Sequence, residues 1–234
     1  MKSFVKGLRS GIPIGLGYLS VSFTFGILAV SYGFEWWQAV LISMTTLTSA
    51  GQLAGINIML NPGQYIEMLI SQLTVNVRYS FMSVSLSQKT SPEFKGIRRW
   101  ILGFFMTDEI FAVASNEDVV STKFFAGLTV FPYLGWTIGT LFGAVLGNIL
   151  PQSIMSALCL AIYGMFIAIV APKVCHSKSL FLVVIVAVIL SCLFYYVPFL
   201  SDNISSGLSV SICAVAAALF GAFVFPVKEE SSDE

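Results

Sequence analysis

The chain has 234 residues, of which 56% are hydrophobic and only 10% charged, with a formal net charge of zero. A soluble domain carries about 25% charged residues, so this composition and a mean hydropathy of +0.87 exclude an ordinary soluble fold and point to an integral membrane protein. The balanced charge leaves no basic patch for nucleic acid.

Segment 12–31 follows Lys2, Lys6 and Arg9, which hold its start in the cytoplasm. It is long enough to span, shows no small-residue cleavage site, and reads as a retained first helix. Gly7, Gly11 and Gly15 recur every fourth residue, a smooth face for close helix contact. Pro13 falls in the first turn of this segment, where proline is tolerated. Segment 36–60 opens on Trp36 and Trp37, which suit the membrane interface. Its centre, TSAGQLAG, is polar and small, and contains Gly51 and Gln52. Such a stretch fits a broken or re-entrant piece, because irregular backbone is tolerated where protein lines a cavity. A plain helix packed through small residues is the competing reading.

Segment 64–86 carries the most costly residue. Arg78 lies well inside an apolar run, and a charge at the centre of a membrane helix costs roughly 2.5–3.5 kcal/mol on insertion scales. Glu67, Ser71, Thr74 and Arg78 share one helical stripe, and Gln72, Asn76, Ser80 and Ser83 form its neighbour. This broad polar face must point into the protein, either toward a site or into a network that only fixes packing. The loop 87–99, with Lys89, Lys95, Arg98 and Arg99 against Glu93 alone, reads as a topology signal. Segment 100–115 is short and holds Asp108 and Glu109 at its centre, directly after Thr107. Adjacent helical positions point about 100° apart, so the two carboxylates take different partners. One could face Arg78 while the other titrates, since a carboxylate held out of water keeps a proton more readily. Both could instead sit in water on a shallow helix.

Segment 124–149 carries Gly135, Gly139, Gly143 and Gly147 at every fourth position, which marks a helix-packing face rather than a chemical site. Segments 152–171, 179–196 and 205–226 are uniformly apolar scaffold. Cys159, Cys175, Cys192 and Cys213 form neither a C-x-x-C pair nor a disulfide framework and read as small filler. No metal site, cofactor or catalytic motif is expected, and the chain reads as a non-enzyme.

Charge then selects the topology. If all eight segments crossed, the basic loop 87–99 would lie outside. If 36–60 and 100–115 dip in and return, every Lys and Arg except Arg78 lies in the cytoplasm, including Lys123, Lys173, Lys178 and Lys228. The prediction is an all-α polytopic membrane helix bundle of about six full spans plus two broken or re-entrant segments, with both termini cytoplasmic. Eight full spans is the alternative. Residues 1–226 form one transmembrane domain and 227–234 a short acidic tail; an internal repeat relating 12–86 to 124–196 is possible.

Three stretches together resemble the AzlC family of branched-chain amino-acid exporters: TSAGQLAG (48–55), VNVRYSFMSVSL (75–86) and the RRW…FFMTDEIFAV stretch (98–113). Their order and spacing match the family's pattern over the first 115 residues. The first motif departs from the family's usual order around Gln52, and Met106 replaces the usual residue before Thr-Asp-Glu. The resemblance implies a bacterial inner-membrane subunit that exports branched-chain or related small neutral amino acids, working with a small AzlD-like membrane partner. A zwitterionic substrate needs a cation for its carboxylate and an acceptor for its ammonium. Arg78 is the candidate for the first and Asp108 or Glu109 for the second, with Gln52, Asn76, Gly51, Thr107 and Glu67 as further site candidates. With no nucleotide-binding motif, the proton motive force is the expected drive. A passive channel or facilitator for small polar solutes is the alternative.

Overall fold

The computed structural model describes residues 2–61, 63–147, 174–204 and 206–226, with isolated positions from 151 to 172. Most of segment 152–171 with Cys159, Lys173, and the tail 227–234 with Lys228 lie outside the described residues. Among the described residues there are ten helices and no strand, so the chain is an all-α membrane helix bundle. It divides into two compact units, Met1–Ile56 with Asn76–Met165, and Asn57–Val75 with Phe166–Glu234.

In the first unit, α1 (Lys2–Ser31) and α7 (Thr122–Leu146) form the spine; both are long and apolar enough to cross a membrane. They run parallel and in close contact. Gly7 and Gly11 of α1 face the backbone at Phe124 and Leu128, and Gly139 and Gly143 of α7 face Leu19 and Phe23. The two glycine stripes therefore face each other's helices. The α7 stripe is used within the chain, as Gly135 against Gly15 and Gly147 against Ile27 also show. One expectation needs correction. Helix α1 starts ten residues earlier than segment 12–31, so Pro13 lies in its interior and not in a first turn. Close packing on α7 begins at Gly7, before the apolar run does, and holds the polar start helical despite the backbone hydrogen bond that Pro13 removes.

The two segments expected to be irregular are each broken in the middle. Segment 36–60 is α2 (Trp36–Thr45) and α3 (Ser49–Met59). Segment 100–115 is α5 (Ile97–Gly103) and α6 (Asp108–Ser115). Both breaks end on a threonine that caps the next half-helix. Thr48 Oγ1 accepts from Gly51 N at 3.3 Å, and Thr107 Oγ1 accepts from Ile110 N at 3.4 Å.

Each pair of half-helices is a hairpin that returns to the end it came from. For α5–α6, the residues before and after are joined: Val120 N donates to Lys89 O at 2.8 Å, and Ser91 N to Val120 O at 2.9 Å. This base lies at the start of α1, where Ser3 Oγ meets Ser121 Oγ at 2.8 Å and Lys6 pairs with Glu117 at 2.7 Å. For α2–α3, Ala39 and Ile56 pack in one cluster with Phe25 and Ala29 at the far end of α1. The hairpins thus enter the first unit from opposite ends. Their tips meet at its centre, where Leu47 packs with Tyr18 and Trp136, and Phe105 packs against the same group. Helix α4 (Tyr65–Ser87) delivers residues 76–87 to this unit and ends at the base of the α5–α6 hairpin.

The second unit holds α8 (Lys178–Tyr196), α9 (Pro198–Asn203), α10 (Ser206–Val224) and the first half of α4. Helix α8 also meets the length and hydropathy of a span, and α10 contributes the shorter apolar stretch Leu208–Val224. Gly221 of α10 lets Val183 of α8 approach.

Candidate functional site

Arg78 and the two hairpin tips define the site. Arg78 lies nine residues before the end of α4, about 13 Å into the helix. A hydrocarbon core is about 30 Å thick, so this is the depth of its middle where α4 ends at the membrane surface. There its Nη1 meets Asp108 Oδ2 at 2.7 Å, an ion pair between α4 and the first residue of α6. Its Nη2 donates to the Tyr79 hydroxyl at 3.3 Å, and the guanidinium lies 5.0 Å from the Tyr79 ring centre. Arg78 Nε makes no hydrogen bond among the described residues. The pair is not sealed: the two side chains keep 42% and 31% of their surface exposed.

Glu109, the neighbouring carboxylate, takes a different partner. The Tyr18 hydroxyl of α1 lies within hydrogen-bond distance of the Glu109 carboxylate and of Thr107 Oγ1, the latter at 2.7 Å. A phenol has one hydrogen, and an ionised carboxylate can only accept. The single Tyr18 hydrogen therefore serves one of the two acceptors at a time, the Glu109 carboxylate or Thr107 Oγ1. The helical turn between Asp108 and Glu109 thus sends one carboxylate to a cation on α4 and the other to a neutral donor on α1.

The α2–α3 tip supplies the other wall. Thr48 Oγ1 donates to Asn76 Oδ1 at 2.8 Å, which ties this tip to α4 two residues before Arg78. Gln52 is buried and bridges both arms of its own hairpin to α7. Its Nε2 donates to Ser43 Oγ at 2.9 Å, and its Oε1 accepts from the Trp136 indole at 2.9 Å. Ser43 Oγ also meets Thr140 Oγ1 at 2.7 Å. Trp136 and Tyr18 stack edge to face, with ring centres 5.3 Å apart. Across the break, Tyr133 donates to Met44 O at 3.3 Å and packs against Phe105 of the opposite tip.

Arg78, Asp108, Glu109, Thr107, Gln52, Asn76 and Gly51 are thus brought to the two tips. Glu67 is buried but belongs to the second unit, three turns before Arg78 on α4. Tyr18, Ser43, Trp136 and Thr140 are site-supporting residues absent from the sequence-based candidates. Trp136 carried a usable signal, since a buried indole N–H needs an acceptor. Tyr18 carried none, being one aromatic ring in an apolar helix.

Broken helices meeting at a charged centre inside an apolar bundle are an arrangement that membrane transport proteins use. The model of the family described as AzlC protein matches residues 13–150, more than half of the sequence, and the chain belongs to the AzlC family. An uncharacterized membrane protein of Archaeoglobus fulgidus is 33% identical over 176 residues, 73% of this chain and 75% of that one. The inner membrane protein YgaZ of Escherichia coli is 27% identical over 189 residues, 76% of each chain. The branched-chain amino acid transport protein AzlC of Bacillus subtilis is 26% identical over 141 residues, 58% of this chain and 55% of that one. No solved structure matches.

Proposed function

We propose that this chain exports branched-chain or related small neutral amino acids across the plasma membrane, driven by the proton motive force, as the large subunit of a two-component exporter with a small AzlD-like partner. The observation that carries this reading is the Arg78–Asp108 ion pair at the tip of a broken helix, deep in the bundle and still accessible. Splitting the pair with nothing in its place leaves each charge uncompensated inside the bundle. A zwitterion avoids this. Its carboxylate takes the guanidinium, its ammonium takes Asp108, and no charge is left unpaired. Arg78 has donor capacity to spare, since Nε has no partner among the described residues. Glu109, on a neutral phenol, is the second acceptor for the ammonium or a carrier of the coupling proton. The name of the Bacillus subtilis relative, a branched-chain amino acid transport protein, directs the choice of side chain. Both termini and the loop 87–99 are assigned to the cytoplasm by their charge.

The test is efflux from cells loaded with a valine-, leucine- or isoleucine-containing dipeptide, expressing the chain with and without a small partner. Efflux that requires the chain and collapses with a protonophore is expected. Absence of efflux for all three amino acids, with the partner present, overturns the reading. Unchanged pH dependence in both Asp108→Asn and Glu109→Gln overturns the proton coupling alone.

A further inference from the structure

The basic loop 87–99 reads from sequence as a topology signal, but its last residue, Arg99, has a second setting. A cavity of about 630 Å3 opens between the end of α4 and the α5 arm of the hairpin. Sites for small molecules span about 300–1,000 Å3. One wall carries the hydroxyls of Ser83, Ser87 and Thr90, which continue the polar face of α4 beyond Arg78. The rest of the lining is mostly apolar, with Leu86, Phe94, Trp100, Phe104 and Phe125. Arg99 stands where α5 begins, and Met106 closes the cavity at the hairpin tip, directly before Thr107 and Asp108.

We propose that this cavity is the loading vestibule of the transporter, in which a zwitterionic amino acid with an apolar side chain docks before it reaches Arg78. The inference rests on the transport reading above and names where the substrate enters. Arg99 makes no ion pair among the described residues and is free to take the carboxylate. The Ser87 hydroxyl donates to Val84 O at 2.6 Å and that of Thr90 to Ser87 O at 2.8 Å. Their hydrogens are used, so both oxygens present lone pairs, which suits an ammonium donor. Leu86, Phe94 and Phe125 give a branched side chain an apolar surface. An acyl chain would leave the hydroxyls and the guanidinium idle, which favours the amino acid over lipid. Met106 forms the floor, and a flexible thioether can swing aside at low cost to join the vestibule to the Arg78 site. Toward the opposite end of the unit, Phe25, Ala29, Ala39, Ile56 and Ala144 close the path with packed side chains. The cavity lies at the end of the unit that the charge rule assigns to the cytoplasm, where an exporter loads.

The test uses the full chain with its small partner in inverted membrane vesicles, in a background whose four cysteines are replaced and which still transports. Ser83→Cys, and independently Ser87→Cys, should react with a membrane-impermeant thiol reagent, and leucine should slow that reaction. Arg99→Gln should raise the half-saturating leucine concentration about tenfold with little change in maximal rate, and Arg99→Lys should recover part of the loss. If the parent exports leucine but neither cysteine is protected and Arg99→Gln has normal saturation, the vestibule is overturned while the transport reading stands. Cysteines that react only after detergent extraction, irrespective of leucine, assign the cavity to lipid and overturn it as well. A parent that exports no amino acid removes the transport reading and the vestibule together.

Discussion

Asp108 and Glu109 are neighbours in the chain, yet one holds a guanidinium and the other a phenol. This division makes Arg78 the residue to test first. Arg78→Gln and Asp108→Asn each leave one charge without its partner, and a hydrogen bond to a charged group is worth about 1.5–3 kcal/mol. Each should lower export about tenfold or more. The double variant removes both charges and should recover thermal stability but not export, read by melting of the purified protein beside efflux. Recovery of export as well would make the pair a packing device and not a substrate site. Arg78→Lys separates the same alternatives, because an ammonium keeps the charge but loses the planar fork. Gln52 belongs to a different class. Its amide is engaged by Ser43 and Trp136, so Gln52→Leu strands a buried indole N–H and should cost about 1–3 kcal/mol of stability, measured as a lower melting temperature.

The glycine stripes and the hairpins depend on each other. Parallel packing of α1 on α7 at backbone distance makes a spine narrow enough for both hairpin tips to reach its centre. A Cβ on Gly143 would overlap the Phe23 carbonyl oxygen, and backbone cannot step aside as a flexible side chain can. Gly143→Ala should therefore force the helices apart, costing about 1–3 kcal/mol or more, and lower both melting temperature and export. Gly17→Ala is the control. Nothing lies within 4 Å of its added methyl, and alanine is the better helix former by about 1 kcal/mol, so stability should hold or rise. Equal effects of the two would show that the stripe does not set the spacing. The threonines at 48 and 107 do a second local job, since each ends a break by capping the half-helix that follows.

The first unit is organised by two hairpins that enter from opposite ends. This arrangement places the starts of α1 and α7 and the loop 87–99 on one side, with the end of α1 on the other. Single cysteines at Ser3 and Lys95, in a background without native cysteines, should label from the same side, and one at Ser31 from the opposite side. Labelling of position 95 together with position 31 would instead support eight crossing segments. The same arrangement explains how an arginine can persist in an apolar bundle: a returning hairpin brings it a carboxylate, and irregular backbone is tolerated where protein lines a cavity.

Much of this was legible before any coordinates. Apolar run lengths, the cost of Arg78 and the cytoplasmic bias of lysine and arginine act on each segment separately. They therefore mark the spans, the two irregular segments and the candidate charges from sequence alone. The glycine periodicity announced a tight interface in the same way, because only close backbone approach requires it. Partners are a different matter, since they depend on which elements meet. Tertiary structure alone decided that the α7 stripe packs on α1, that Gln52 clasps its own hairpin, and that Tyr18 holds Glu109. Tertiary structure also settled the fate of the Asp108–Glu109 pair. Sequence places two acids in one apolar segment, but the meeting of α6 with α4 and α1 gives each a different partner.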